Sequence, residues 1–284
     1  MQLDPVELVG GLAAGLTKDI LLHPVDTLRA RLDVTRSGTA SPVGAMVGEL
    51  RAVHAADGLA GLYRGYTLCL VGSTPASALY FGSYHAIRRV LVGGDVHGSH
   101  PMADSGAGAG AEAVASLVWT PLDVLKQRMQ VGPAGMGVAD AARGACEGVG
   151  IIGLWRGYFA GLCVWAPFSA AYFASYEAFR EALSANGGRD GSEGANAAQS
   201  ASAGAAAGGV AAIATQPLDC AKTRIQVGLS ERSLGIFGVA RQVWAEEGVA
   251  SLFRGGLARA LWLAPGCAVT ITVFEAVTAE LRRR

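Results

Sequence analysis

Three times along the chain a proline is followed by an aspartate two residues on and a base three residues after that. The segments are Pro24-Val25-Asp26-Thr27-Leu28-Arg29, Pro121-Leu122-Asp123-Val124-Leu125-Lys126 and Pro217-Leu218-Asp219-Cys220-Ala221-Lys222. The chemistry open to such a set is ion pairing rather than bond making. Each acid can pair with its own base at i,i+3 on one helix surface. Around a threefold axis it can instead meet the base of a neighbouring segment, so that three pairs close a ring. Pairs of the second kind are costly to desolvate, and their attraction only partly offsets that cost, which suits a contact that must open. Proline inside a helix removes a backbone hydrogen bond and kinks it, so Pro24, Pro121 and Pro217 are expected to act as hinges that bring three helix ends together. No nucleophile–base pair, Gly-rich phosphate loop or metal-ligand spacing accompanies them, so the chain is expected not to be an enzyme and to need no cofactor or metal.

The elements that position these residues repeat with them. The prolines are spaced by 97 and 96 residues, and each is followed by an aromatic-Arg-Gly triplet whose glycine lies 41, 36 and 38 residues on (Tyr63-Arg64-Gly65, Trp155-Arg156-Gly157 and Phe253-Arg254-Gly255). Such self-similarity divides the chain into repeats over 1–97, 98–194 and 195–284. Apolar segments at 6–32, 67–91, 103–130, 158–183, 199–227 and 257–281 each exceed the roughly 20 residues a membrane-spanning helix needs. Lys18, Asp19, Glu112 and Arg259 interrupt them and are expected to face a bundle interior. Short amphipathic stretches at 44–55 and 234–245 read as interfacial helices, and polar linkers around 93–100 and 184–198 join the repeats. The expected fold is an all-α membrane protein of six transmembrane helices in three parallel, pseudo-threefold repeats. Glycines thirteen residues before each proline (Gly11, Gly108, Gly204) and nine before two of them (Gly15, Gly208) offer small faces for close helix packing. Composition agrees: 51% of residues are hydrophobic and 16% charged, while 23 bases balance 23 acids, which removes the basic face that nucleic-acid binding needs. The five cysteines show neither disulfide nor zinc spacing.

The tripled motif with its aromatic-Arg-Gly partner resembles the mitochondrial carrier family over essentially the whole chain. The resemblance implies six tilted helices round a central cavity, short matrix helices, and alternating access of a small-molecule substrate between two gates. It implies the mitochondrial inner membrane, with a plastid envelope as the alternative. Cardiolipin is expected near Arg64, Arg156 and Arg254, and one chain contains the whole pathway, so a monomer suffices. The matrix gate would be Asp26, Arg29, Asp123, Lys126, Asp219 and Lys222. The outer gate falls on Tyr84-His85-Ala86-Ile87-Arg88, Tyr176-Glu177-Ala178-Phe179-Arg180 and Phe274-Glu275-Ala276-Val277-Thr278. There His85 replaces an acid and Thr278 a base, which leaves Glu275 with Arg88 as the expected strong pair and implies a weak outer gate. An acid-Gly element precedes two of the triplets (Asp57-Gly58, Glu247-Gly248), whereas the second repeat has Val149-Gly150.

By the same resemblance, substrate would touch the positions seven and eight residues after each triplet glycine: Gly72 and Ser73, Val164 and Trp165, Trp262 and Leu263. None is charged, which argues against a strongly anionic cargo, since phosphate and carboxylate groups want fixed arginines or lysines. Arg259 is the even-helix candidate for an anion. Asp19 and Glu112 on odd helices favour a cationic or amino group, with Trp165 or Trp262 offering an aromatic face. The segments from Asp19, Glu112 and Thr215 resemble the S-adenosylmethionine carrier branch, although that branch has an Arg-Glu pair at Val164-Trp165. The segment 75–81 resembles the iron carriers, for which His, Met or Cys would be wanted at the contact positions. A carrier-like protein that binds or senses without transporting is the remaining alternative.

Overall fold

The computed structural model of the chain describes residues 5–36, 41–92, 101–186, 193–230 and 234–283. Within them the elements are helical, with no strand. The first repeat comprises α1 (Pro5–Val34), α2 (Pro42–Asp57), a 3₁₀ turn (Gly58–Tyr63) and α3 (Tyr66–Val92). The second comprises α4 (Pro101–Val131), α5 (Val138–Cys146), a 3₁₀ turn (Gly150–Trp155) and α6 (Tyr158–Asn186). The third comprises α7 (Glu193–Ala214), α8 (Gln216–Val227), α9 (Ile236–Glu247), the one-turn α10 (Val249–Leu252) and α11 (Gly256–Arg283). The second long helix of each repeat packs on the first of the next: α3 on α4, α6 on α7, and α11 back on α1. That last contact closes the ring.

The three prolines behave differently. Pro24 and Pro121 lie inside continuous helices, whereas the expected single span 199–227 is interrupted at Thr215. Thr215 Oγ1 donates to Ala211 O at 2.7 Å, and Pro217 opens α8 within its first turn, where a missing N–H leaves nothing unsatisfied. The hinge is therefore a helix break in one repeat of three. The expected short helices at 44–55 and 234–245 correspond to α2 and α9. The linker at 93–100 lies outside the described residues, and helix extends through much of 184–198, to Asn186 and again from Glu193.

Among the described residues two helical stretches, Gly150–Leu183 and Val249–Arg282, are long and apolar enough to cross a membrane by length and composition. Six had been expected from the sequence. Inward-facing charges lower the hydropathy of two of the others, since α1 carries Lys18, Asp19, Asp26 and Arg29 and α4 carries Glu112, Asp123 and Lys126, and the break at Thr215 divides a third. Outward faces are apolar all the same, with Val9, Ile20, Val90, Leu117, Phe159, Phe173 and Ile213 exposed. An apolar belt of that extent marks a surface made for a non-aqueous neighbour.

The close helix contacts fall at other glycines than those expected. Gly11 and Gly15 have open space where a Cβ would be, and Gly15 lines the central cavity. A Cβ at Gly10 would instead lie 2.6 Å from Thr278 Cγ2, and one at Gly110 would lie 2.7 Å from Ile87 Cδ1. Gly204 and Gly208 do meet neighbours, Tyr172 and Leu263. The triplet glycines have a second role. Gly65 and Gly157 take φ of 76° and 85°, a left-handed backbone that only glycine adopts freely, and each lies against the next repeat, at Lys126 and Gln226 respectively.

Hydrophobic clusters sit at the short-helix end of each repeat: Leu28, Val53 and Leu62; Leu125, Met129 and Ala141; and Cys220, Ile225, Val239, Val243 and Leu252 with their neighbours. In the third repeat the acid of the acid-Gly element clamps this end. Arg224 Nη2 donates to Glu247 Oε2 at 2.9 Å, and Nη1 donates to Oε1. These hydrogen bonds hold the Glu247 carboxyl below the ordinary glutamate range. A lowered value means that the stabilisation is present while the carboxylate is ionised and is lost as pH falls. Glu247→Gln should therefore lower stability by about 1.5–3 kcal/mol near neutral pH. In thermal unfolding of the detergent-solubilised protein, the gap to wild type should close below about pH 4.5.

Candidate functional site

α1, α4 and α8 converge at the short-helix end, and their charges pair across repeats. Lys126 Nζ lies 2.5 Å from Asp26 Oδ2, Lys222 Nζ 2.8 Å from Asp123 Oδ2, and Arg29 Nη2 donates to Asp219 Oδ2. Each acid thus meets a base of another repeat, and three pairs close a ring. Arg29 also reaches Asp26 on its own helix at 3.2 Å, so both modes of pairing coexist at that residue. All three aspartates are buried, which leaves each dependent on its partner.

Two further sets of contacts surround the ring. Gln130 Nε2 donates to Asp26 Oδ2 at 3.2 Å and Gln226 Nε2 to Asp123 Oδ2 at 3.0 Å. Arginines two residues beyond each base then donate to helix-end carbonyls of another repeat: Arg31 to Gln130 O at 3.3 Å, Arg128 to Gln226 O at 3.2 Å, and Arg224 to Asp33 O at 2.8 Å. The triplet arginines do the same one turn further out. Arg64 donates to Gly132 O at 3.1 Å, Arg156 to Ser230 O at 2.8 Å, and Arg254 to Thr35 O. Arg64, Arg156 and Arg254, expected from the resemblance beside bound phosphate, thus cap the C-terminal ends of neighbouring helices, where cations are favoured. Base-x-Arg occurs three times in the sequence, in Arg29-Ala30-Arg31, Lys126-Gln127-Arg128 and Lys222-Thr223-Arg224, and that tripling was the signal for these contacts.

Against the ring lies a cavity of about 580 Å³. It is lined by Asp19, Glu112, Val164, Trp165, Arg259 and Trp262 of the expected contact residues, and also by Tyr80, Trp119 and Phe168. Gly72 is not among its walls; a Cβ there would strike Leu122 on α4, so this position packs two helices together. Ser73 and Glu275 stand on described helices, but their side chains lie outside the described residues. Arg259 is buried, with Nε 3.6 Å from Asp219 Oδ2, and Nη1 donates to Ala212 O at 3.1 Å. It serves the ring rather than standing free for an anion.

The two carboxylates away from the ring differ. Asp19 lies 3.3 Å from Lys18, whose ammonium sits 5.3 Å from the Trp262 ring centroid. Glu112 accepts from Ser116 Oγ at 3.2 Å and has no base within ion-pair distance among the described residues. A row of rings runs along α6: Trp165 meets Phe168 edge-on at 5.6 Å, and Phe168, Tyr172 and Tyr176 stack at successive spacings of 6.2 Å. The i,i+4 spacing of Phe168, Tyr172 and Tyr176 was the sequence signal for it.

At the far end three of the residues that the resemblance assigns to an outer gate, Arg88, Glu177 and Arg180, have described side chains. Arg88 Nε donates to Asp104 Oδ1 at 2.5 Å, a partner the sequence reading had not named, at the start of α4. Glu177 and Arg180 are exposed and make no ion pair among the described residues, and Thr278 Oγ1 turns back to Phe274 O at 2.7 Å.

The family model described as mitochondrial carrier protein matches residues 4–95, 97–187 and 193–284. Mitochondrial substrate carrier family protein E of Dictyostelium discoideum is 32% identical over 283 residues, covering 94% of this chain and 93% of that protein. The mitochondrial S-adenosylmethionine carrier protein of Xenopus laevis is 32% identical over 277 residues, covering 96% of each. Mitoferrin of Dictyostelium discoideum is 28% identical over 286 residues, covering 95% of this chain and 92% of that protein.

The ring makes a thermodynamic prediction. Lys126→Met leaves buried Asp26 with only Arg29 of its own helix as a base among the described residues and should cost about 3 kcal/mol. Asp26→Asn with Lys126→Met should cost less than the two single changes together, by about 1–3 kcal/mol, in a double-mutant cycle of thermal unfolding.

Proposed function

The chain belongs to the mitochondrial carrier family, and from that premise we propose that it moves a small metabolite bearing an amino or sulfonium cation, S-adenosylmethionine first among the candidates. All six long helical segments, α7 and α8 together counting as one, span an organellar inner membrane, taken as the mitochondrial one. The inter-repeat ring is the matrix gate, and the set of Arg88, Glu177, Arg180 and Glu275 is the outer gate. Transport proceeds by alternating access in a single chain. Lipid phosphate, cardiolipin above all, binds at the starts of α5 and α9, whose N-caps Gly137 and Gly235 supply no side-chain cap and leave N–H groups for an anion.

The observation that carries the substrate reading is Glu112, a carboxylate facing the cavity with no base within ion-pair distance among the described residues. The cavity's other charges support it, because among the described residues the bases of the ring and Arg259 are held by acids, and Lys18 by Asp19. A bound cation would lie between Glu112 and Asp19, while Trp165, Phe168 and Trp262 offer faces for it and for a planar ring system. The cavity volume lies in the range that holds a metabolite of this size.

The test is thermal unfolding of the detergent-solubilised protein with S-adenosylmethionine, nucleotides, keto acids and ferrous iron, followed by flux of the stabilising compound in proteoliposomes. S-adenosylmethionine at about 100-fold its Kd should add about 2.7 kcal/mol of stability, and Asp19→Asn or Glu112→Gln should abolish the gain. A response to nucleotides or keto acids alone would sink the cationic reading. A response to iron alone would favour the mitoferrin-like one, and binding without flux would favour a sensor.

A further inference from the structure

The third pair of the ring lacks something the other two have. Four residues after the base, the second and third repeats carry Gln130 and Gln226, each of which donates an amide N–H to the acid of the pair beside it. Four residues after Arg29 stands Asp33. It is fully buried, and it shares the Arg29 guanidinium with Asp219 at the chain position where the other repeats carry an amide.

The bases around Asp33 are shared with other acids. On its own helix Arg29 Nε is 3.9 Å from Asp33 Oδ2, and that guanidinium already serves Asp219 and Asp26. From α8 it faces Asp219 and accepts from Gln216 Nε2 at 2.7 Å and Thr223 Oγ1 at 3.4 Å. From α11 the charged group facing it is Arg259, which lies beside Asp219. Arg224 addresses only the backbone carbonyl of Asp33, and its guanidinium is held by Glu247. Gly255, at the entrance to α11, presses on the carboxyl group, with no room even for a Cβ.

An ionised carboxylate is acceptor-only, whereas a protonated one has an O–H to donate. We propose that Asp33 is a proton-binding site that sets the strength of the ring. With the proton bound, Asp33 gives up its claim on Arg29, and the Asp219–Arg29 pair is held shut. With the proton released, two buried carboxylates compete for Arg29, and the pair loosens. Opening on that side would expose Asp33 to water and favour release, so proton binding and closure are linked reciprocally.

The sign follows from linkage: the closed, folded form binds the proton more tightly than the unfolded chain, so its stability falls as pH rises through the titration. The test is thermal unfolding of the purified full-length protein in detergent from about pH 5 to about pH 9, comparing wild type with Asp33→Asn and Asp33→Gln. It needs no transported substrate, so its failure is distinguishable from failure of the cargo assignment. Relative to both variants, wild type should lose about 3 °C or more in Tm across that range. A pH-independent offset, or a wild type that gains on the variants as pH rises, would overturn the proposal. Failure of both neutral variants to fold would overturn it too, because it would mean that the site needs the anion.

Discussion

Every repeat of this protein carries a buried acid that its own helix does not satisfy, and the rest of the structure follows from the sharing of charge between repeats. Asp26, Asp123 and Asp219 each find a base on a different repeat. The same exchange extends to the backbone, where Arg31, Arg128 and Arg224, and then Arg64, Arg156 and Arg254, close the helix ends of their neighbours. A buried ion pair is weak evidence for stability taken singly. Three pairs arranged in a ring turn that weakness to use, since a modest net gain is what a barrier that must repeatedly form and break requires.

The ring also decides what the cavity against it can hold. Its bases are neutralised by its acids, and Arg259 is drawn in beside Asp219, so the positive charges near the cavity floor are already engaged. The negative charge of Glu112 is not, and aromatic rings stand beside it. On the proposed function, the preference for a cation is a by-product of how the floor is closed. At the opposite end Arg88 pairs with Asp104, while Glu177 and Arg180 face solvent and make no ion pair among the described residues.

What could be read from the sequence was what repeats. The Pro-x-Asp-x-x-base motif and the triplet recur at nearly constant spacing, and that was enough to anticipate an all-helical architecture in three units and to single out the six charges that pair. The departures from threefold symmetry were harder. Pro217 looks like Pro24 and Pro121 in sequence, yet only there is the helix interrupted, at Thr215. Gly10 and Gly110 are the close contacts rather than Gly11 and Gly108, one and two residues away, because each residue turns a helix face by about a hundred degrees. Gly72 sits at a position reserved for cargo and packs on Leu122 instead. Asp33 carried no signal of its own. Its meaning appears only when Gln130 and Gln226 are seen to lie on the acids of the ring.

The central claim is that charge pairing between repeats closes the path through the molecule. The most direct measurement is uptake of labelled S-adenosylmethionine by proteoliposomes containing wild type, Asp123→Lys, Lys222→Asp, or the two changes together. Each single exchange places like charges across one joint of the ring and should abolish uptake, while the double exchange rebuilds the joint in reverse and should restore a substantial part of it. Uptake in both single variants equal to that of wild type would contradict the account.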